Sequence, residues 1–289
     1  MKKIPRTGVI RDYDMHSPSV KAGYGIVVFF CCVIVLVAVF PLIWVALAGF
    51  KDLNEFNNST RIIPESFDLD PYTTTWNQVG IAKNYLNSLI SVSGSVVCAI
   101  LFNGMLGYGI GILKPRGHKL VKRLVMLSLL IPSTISIVPL FVNITKLFNG
   151  PTFVPLWLSF GANAMYIILF AQFFESLPRS IIEASRIDGC NPLQTFFHIV
   201  LPLSKPICVV VAIFALNAAW SDFLLPYLLL RGSKLQTVMV RLFDFSTQQT
   251  INQDDMMRSV VFAMVPPVIL FFIFQKQLTE NAVSVGIKG

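Results

Sequence analysis

Charge is what this sequence has least of. Lysine, arginine, aspartate and glutamate make up 13% of its 289 residues, against about 25% in soluble domains, which excludes an ordinary soluble globule. The shortage is regional, because residues 22–50 and 84–113 carry no charge at all. Other absences narrow the chemistry. No G-x-x-x-x-G-K-[ST] phosphate loop occurs, so the chain builds no nucleotide pocket of that kind. His16, His118 and His198 stand apart with no H-E-x-x-H pair, which removes that metal-hydrolase pattern. Cys31, Cys32, Cys98, Cys190 and Cys208 lack metal-ligand spacing with any histidine. None lies in a segment predicted to be outside, where disulfides form, so they read as small apolar filler.

What is present is long apolar runs. A helix needs about 20 apolar residues to cross some 30 Å of hydrocarbon. Six runs qualify as spans, near residues 24–49, 85–113, 124–147, 153–174, 206–230 and 258–275. The first is too long for a signal-peptide core of about 7–15 residues, so it is expected to be a retained span. The third and fourth, separated by Lys146 and the turn-prone Asn149-Gly150-Pro151, form a helical hairpin. The last is expected to begin a turn earlier and to kink at Pro266-Pro267. The predicted fold class is therefore all-α, a polytopic membrane protein with six transmembrane helices. Residues 1–23 and 277–289 are cytoplasmic ends flanking a transmembrane domain at 24–276.

Orientation follows from basic residues. With the N-terminus in the cytoplasm, the inside segments hold 15 of the 23 lysines and arginines. They include Lys2, Lys3, Arg6 and Arg11 at the N-terminus, Lys288 at the C-terminus, and the tight turn KPRGHKLVKR after the second span. Short loops obey the positive-inside rule best, which places both termini and the 175–205 loop in the cytoplasm. The net charge of +8 is thus a topology signal and no nucleic-acid footprint, since it is scattered over several loops. Residues 51–83 and 231–257 are the expected extracytoplasmic loops.

Between the fourth and fifth spans lies a polar stretch, EASRIDGCNPLQTFFHIVLP, at residues 183–202. Pro178 suits the first position of a helix, residues 179–188 can run helical, and Gly189 falls where a helix ends left-handed. Asn191 offers an N-cap, Pro192 a first position and Gln194 a capping-box partner. Leu193, Phe196, Phe197 and Val200 then form one apolar face, which Pro202 breaks. The prediction is two short helices joined by a stiff bend that exposes Glu183, Ala184 and Ser185. On pattern alone, such helices are also compatible with lying on the membrane surface.

Glu183-Ala184-Ser185, Gly189 four residues later, and then Ile199 and Leu201-Pro202 resemble the EAA loop of ABC-importer permeases. Asn87-Ser88-Leu89, Trp220-Ser221-Asp222-Phe223 with Pro226, and the ending Gly286-Ile287-Lys288-Gly289 are similar to the smaller permease of maltose-type carbohydrate importers. Ser185 departs from the family's more frequent alanine but is equally small. The resemblance implies an ABC importer permease fold and a membrane subunit that forms half of a path for a sugar or oligosaccharide. It also implies a prokaryotic cell membrane location and a set of partners: a second permease subunit, two ATPase subunits and an extracytoplasmic solute-binding protein. This chain is then no enzyme and carries no cofactor, with ATP and Mg bound by the partner ATPase. Coupling to that ATPase is assigned to Glu183, Ala184, Ser185, Asp188 and Gly189. Leu193, Phe196, Phe197 and Ile199 are assigned to bracing the loop against the permease body, and Leu201 and Pro202 complete the coupling set. Glu183 either contacts the ATPase or pairs with Arg179 or Arg186.

Intramembrane charge is almost absent, with Asp222 the main exception. A carboxylate in a span is costly and usually functional; Asp222 either lines or gates the path or makes an interfacial salt bridge. Asn217 and Trp220 on the same segment suit sugar hydroxyls and ring faces. Gly104, Gly107 and Gly111 read as helix-packing positions. The competing function is an ion-coupled secondary transporter of a small polar solute, which would favour midplane carboxylates and broken-helix repeats; neither is found. An intramembrane enzyme and a structural subunit without a path of its own are further rivals.

Overall fold

A computed structural model describes residues 18–248 and 251–286. Lys2, Lys3, Arg6, Arg11, His16 and the final Ile287-Lys288-Gly289 lie outside the described residues. Every regular element among those described is helical. In chain order they are α1 (Pro18–Ala48), α2 (Leu53–Asn58), α3 (Asp70–Val79), α4 (Ile81–Tyr108, continued by a π-turn over Gly109–Leu113), α5 (His118–Ser128) and α6 (Ser133–Leu147). There follow α7 (Val154–Phe160), α8 (Ala164–Glu175), α9 (Arg179–Ile187), α10 (Pro192–Thr195, continued by a π-turn over Phe196–Val200) and α11 (Leu201–Leu203). The last four are α12 (Lys205–Ser221), α13 (Leu224–Leu230), α14 (Val238–Ser246) and α15 (Gln253–Gly286).

Three of these are long and apolar enough to cross a membrane: α1 from Val20, α4 with its π-turn, and α15 from Gln253 to Gln275. Two further pairs qualify only as bent spans, α7 with α8 at 48° and α10–α11 with α12 at 83°. The expected continuous spans at 124–147, 153–174 and 206–230 are each interrupted, and the causes are local. Pro132 has no N–H to give to Ser128 and disfavours helix at Ile131, so α5 stops and α6 restarts at Ser133. Between α7 and α8, Asn163 is extended and its side chain caps Tyr166 N–H at 3.2 Å. Asp222 is extended, with its carboxylate at the N–H groups of Leu225 and Leu224, a side-chain competition that ends α12. The last span begins at Gln253, as a turn-earlier start requires, and its helix runs unbroken through Pro266 and Pro267.

Chain contacts separate the described residues into two compact units. The first comprises residues up to Tyr72 with Asn252–Val261. Its anchor is Arg258, only 4% exposed, whose guanidinium donates to Gly49 O and Lys51 O at 2.8 Å each. These are carbonyls just past the end of α1, where intrahelical donors run out. Asp255 and Asp254 at 2.9 and 3.0 Å neutralise the buried cation, as burial of a charge demands. Tyr72 donates to Ala46 O at 2.9 Å; burial pushes its phenol above the ordinary value, against the pull of Arg258.

The second unit holds Thr73–Ile251 with the chain from Phe262 onward, and α4 is its axis. Helices α7, α8 and α12 pack along α4. At Gly107 an added Cβ would lie 2.6 Å from Phe170 Cβ, and at Gly111 2.8 Å from Ala171 O. Those glycines let α8 approach α4 backbone to backbone, the expected small-residue packing. Gly104 is looser, with Phe196 at 3.4 Å from such a Cβ. The 231–257 segment is more than a surface loop. Its α14 buries Val238, Val240 and Phe245, and the stretch before it is pinned to α4 by buried asparagines.

Candidate functional site

The polar stretch folds as a bent pair of helices. α9 starts at Arg179, with Pro178 as its N-cap residue instead of its first helical residue. It ends in a Schellman arrangement: Gly189 is left-handed at φ 78°, its N–H reaches Arg186 O at 3.1 Å, and Cys190 N–H reaches Ser185 O at 3.0 Å. Asp188 is the exposed C-cap residue. The second arm opens with a complete capping box, Gln194 N–H to Asn191 Oδ1 at 2.9 Å and Asn191 N–H to Gln194 Oε1 at 2.8 Å. Both ends of the bend are thus satisfied by local bonds, so the turn needs no outside partner to hold its shape.

Ser185 corrects the expectation of exposure. It is 1% exposed, and its hydroxyl sits 2.8 Å from Ile182 O and 3.2 Å from Thr195 Oγ1. It clasps the two arms together. That clasp also overturns the single apolar face. With Thr195 turned inward, Leu193 and Phe197 each stand two residues away, about 200° round a helix of 3.6 residues per turn. Both are exposed, while Phe196 and Val200 are fully buried. Leu193 and Phe197 thus lie on the outer side of the loop, the Phe197 ring 5.0 Å from that of Phe196. Ile199 and Leu201 are half-buried, and Pro202 is exposed inside a helical stretch that ends at Leu203. The break comes at Ser204, whose buried hydroxyl bonds Val200 O at 2.7 Å.

The buried side of the bend enters the core of the unit. Ile182, Phe196 and Val200 share one apolar cluster with Ala99 and Tyr108 of α4, Phe170 and Phe174 of α8, and Ile207 and Val211 of α12. The Phe196 ring lies 5.4 Å from that of Tyr108. The outer side carries Glu183 and Ala184, both exposed, with Ile187, 86% exposed, and Leu193. Glu183 makes no ion pair within 4 Å of Arg179 or Arg186 among the described residues. The carboxylate that is engaged is Glu175, held by Lys122 of α5 at 2.8 Å.

Residues 86–282 match the family of inner membrane components of binding-protein-dependent transport systems. The chain belongs to that family. This permease is 27% identical over 278 residues to the arabinooligosaccharides transport system permease protein AraQ of Bacillus subtilis, covering 95% of this chain and 99% of that one. It is 31% identical over 260 residues to the protein of the same name from Halalkalibacterium halodurans, covering 89% and 93%. To the diacetylchitobiose uptake system permease protein NgcG of Streptomyces coelicolor it is 27% identical over 256 residues, covering 87% and 84%. A chain of a bacterial ABC transporter that imports the acidic polysaccharide alginate superposes with a TM-score of 0.79 at 20% identity, over 90% of this chain and 98% of that one. The permease thus has the all-helical ABC importer permease fold, is a multi-pass inner-membrane protein, and is a transport subunit rather than an enzyme.

The three residues assigned to the path do not come together. Asn217 and Trp220 of the permease line a cavity of about 230 Å³ with Phe214, Pro267 and Phe271. Asp222 is outside it, at the α13 N–H groups. Trp220 is 5% exposed, and its indole N–H donates to Ala263 O at 3.1 Å, so its polar edge is already engaged. Sequence reasoning missed the polar stripe of α4. Asn84, Asn87, Ser88, Ser91, Ser95 and Asn103 are all buried. Asn84 and Asn87 donate to Gln236 O at 2.8 and 2.9 Å, and Ser88 accepts from Val238 N–H at 2.9 Å. Asn103 donates to Phe160 O at 2.8 Å and accepts from Asn163 N–H at 2.8 Å. Their recurrence at helical spacing from Asn84 to Ser95, with Asn103 eight residues on, was the available signal.

Proposed function

We propose that the α9–α10 bend is the coupling element through which a cytoplasmic ATPase drives this permease, and that the cargo is a sugar or oligosaccharide. The observation that carries the coupling reading is the two-sidedness of the bend. Its inner face is welded into the α4–α8–α12 core by Ile182, Phe196 and Val200, and its outer face presents Glu183, Ala184, Ile187 and Leu193. Force applied to a rigid, locally capped knuckle with that outer surface is passed to the core helices instead of being absorbed by the loop. The sugar reading draws on relatives named for arabinooligosaccharides and diacetylchitobiose.

In this reading the permease pairs with a second membrane subunit, two ATPase subunits that hold ATP and Mg, and a solute-binding protein outside. Six crossings result if α5–α6, α7–α8 and α12–α13 each count as one broken span. The basic-residue asymmetry puts residues 1–23, 277–289 and the 175–205 loop in the cytoplasm, with 24–276 as the membrane domain. Asn217 and Trp220 are the path candidates. Asp222 is assigned to holding α13, with gating as its further role.

The test is uptake by the assembled importer. Glu183→Lys reverses a surface charge and Gly189→Pro removes the left-handed cap; each is expected to abolish ATP-dependent uptake while the subunit still reaches the membrane. Normal uptake in both sinks the coupling assignment. For the cargo, calorimetry on the cognate binding protein with arabino-, chito- and malto-oligosaccharides should find one tight ligand, and binding of none of these or other sugars overturns the class.

A further inference from the structure

A second polar cavity, of about 330 Å³, opens where α4 ends and α9 begins. Its wall carries Lys114, Arg179 and Arg186 against Glu175 and Glu183. Glu175 is already engaged by Lys122 at 2.8 Å, so three exposed cations face a single uncommitted carboxylate. None of the three forms an ion pair among the described residues. Arg179 is the first residue of α9, and no acidic residue lies in that first turn. A cation there is repelled by the positive end of the helix, so the site favours an incoming anion.

Lys114 adds a separate observation. It closes the π-turn with its N–H on Gly109 O at 2.9 Å and has φ 48°. It is the only non-glycine with positive φ among the described residues. Glycine is the default for that conformation, yet here a lysine holds it and lines the cavity.

We propose that this cavity binds the phosphate of an anionic phospholipid headgroup. Position favours a lipid source. Lys114 directly follows the membrane-length helix Ile81–Leu113, so the cavity lies at the level where headgroups begin. Beside it runs α5, whose first two turns carry Lys119, Lys122 and Arg123, a concentration of positive charge that attracts anionic headgroups. Basic cavities between spans on the cytoplasmic side bind phosphate-bearing headgroups. The assignment rests on the proposed cytoplasmic orientation and shares Glu183 with the coupling surface, but it needs neither an ATPase nor a cargo, so a lipid count can fail while coupling stands.

The test uses the full-length chain, purified in detergent with equal phosphatidylglycerol and phosphatidylcholine, and native mass spectrometry to count retained lipid. The wild type should retain phosphatidylglycerol about tenfold over phosphatidylcholine. Lys114→Gly/Arg179→Gln should bring that ratio close to one, while thermal unfolding in phosphatidylcholine stays near wild type, because glycine suits the left-handed turn. Lys119→Gln/Arg123→Gln, which remove charge outside the cavity, should lose less of the preference. Equal retention by the wild type, a preference that survives the cavity variant, or an equal loss in both variants would overturn the proposal. Stabilisation by inorganic phosphate with no lipid preference would likewise rule out a membrane source.

Discussion

The two ends of α4 both pack into apolar clusters but differ in what is added to that packing. Near Ile81 the helix fastens the irregular stretch before α14, with Asn84 and Asn87 donating to the carbonyls of Lys234 and Gln236, and it accepts at Ser88 from the N–H of Val238, the first residue of α14. Near Leu113 it meets α8 and the bend through bare backbone at Gly107 and Gly111 and through the rings of Tyr108 and Phe196. The contrast has a physical cause. Irregular chain brings unpaired N–H and C=O groups that must be satisfied when buried, whereas helices arrive with their backbones already bonded and ask only for close packing. Directional bonds fix one register. Close-packed backbone and rings leave little room to yield and so transmit displacement, which suits the end that adjoins the bend.

Three substitutions probe that contrast. The greatest loss is expected from Phe196→Ala, which empties a fully buried ring site; about 3–5 kcal/mol should appear as a lowered unfolding temperature in detergent, with uptake falling in parallel. Next is Ser88→Ala, which strands the buried Val238 N–H at about 1–3 kcal/mol. Hydrogen exchange should quicken over residues 234–240 and stay unchanged in the bend; uniform quickening would mean the two ends are not independently held. The smallest is Ser185→Ala, at about 1 kcal/mol. Its effect should show less in stability than in the ratio of sugar moved to ATP hydrolysed, since it loosens the clasp between the arms without emptying the core. An unchanged ratio would show that the caps alone keep the bend stiff.

What could be foreseen followed the range of the interaction. Gly189, Asn191, Pro192 and Gln194 act within four residues of themselves, so the bend and both its caps were legible from composition and spacing. The burial of Ser185 is not legible locally, because what covers it includes Thr195, ten residues on and across the turn. Leu193 and Phe197 were misplaced for the same reason. The interruptions at Pro132 and Asp222 lay in plain view but were hidden by averaging, since long apolar stretches on either side outweigh one proline or one carboxylate. The α4 stripe was hidden likewise, its asparagines and serines being uncharged and so invisible to a search for charge.

The corner at Ser204 has a geometric outcome. Because α10–α11 meets α12 at 83°, almost none of a thrust along the shorter rod can travel down the longer one. Such a thrust would arrive broadside and tilt that rod rather than slide it.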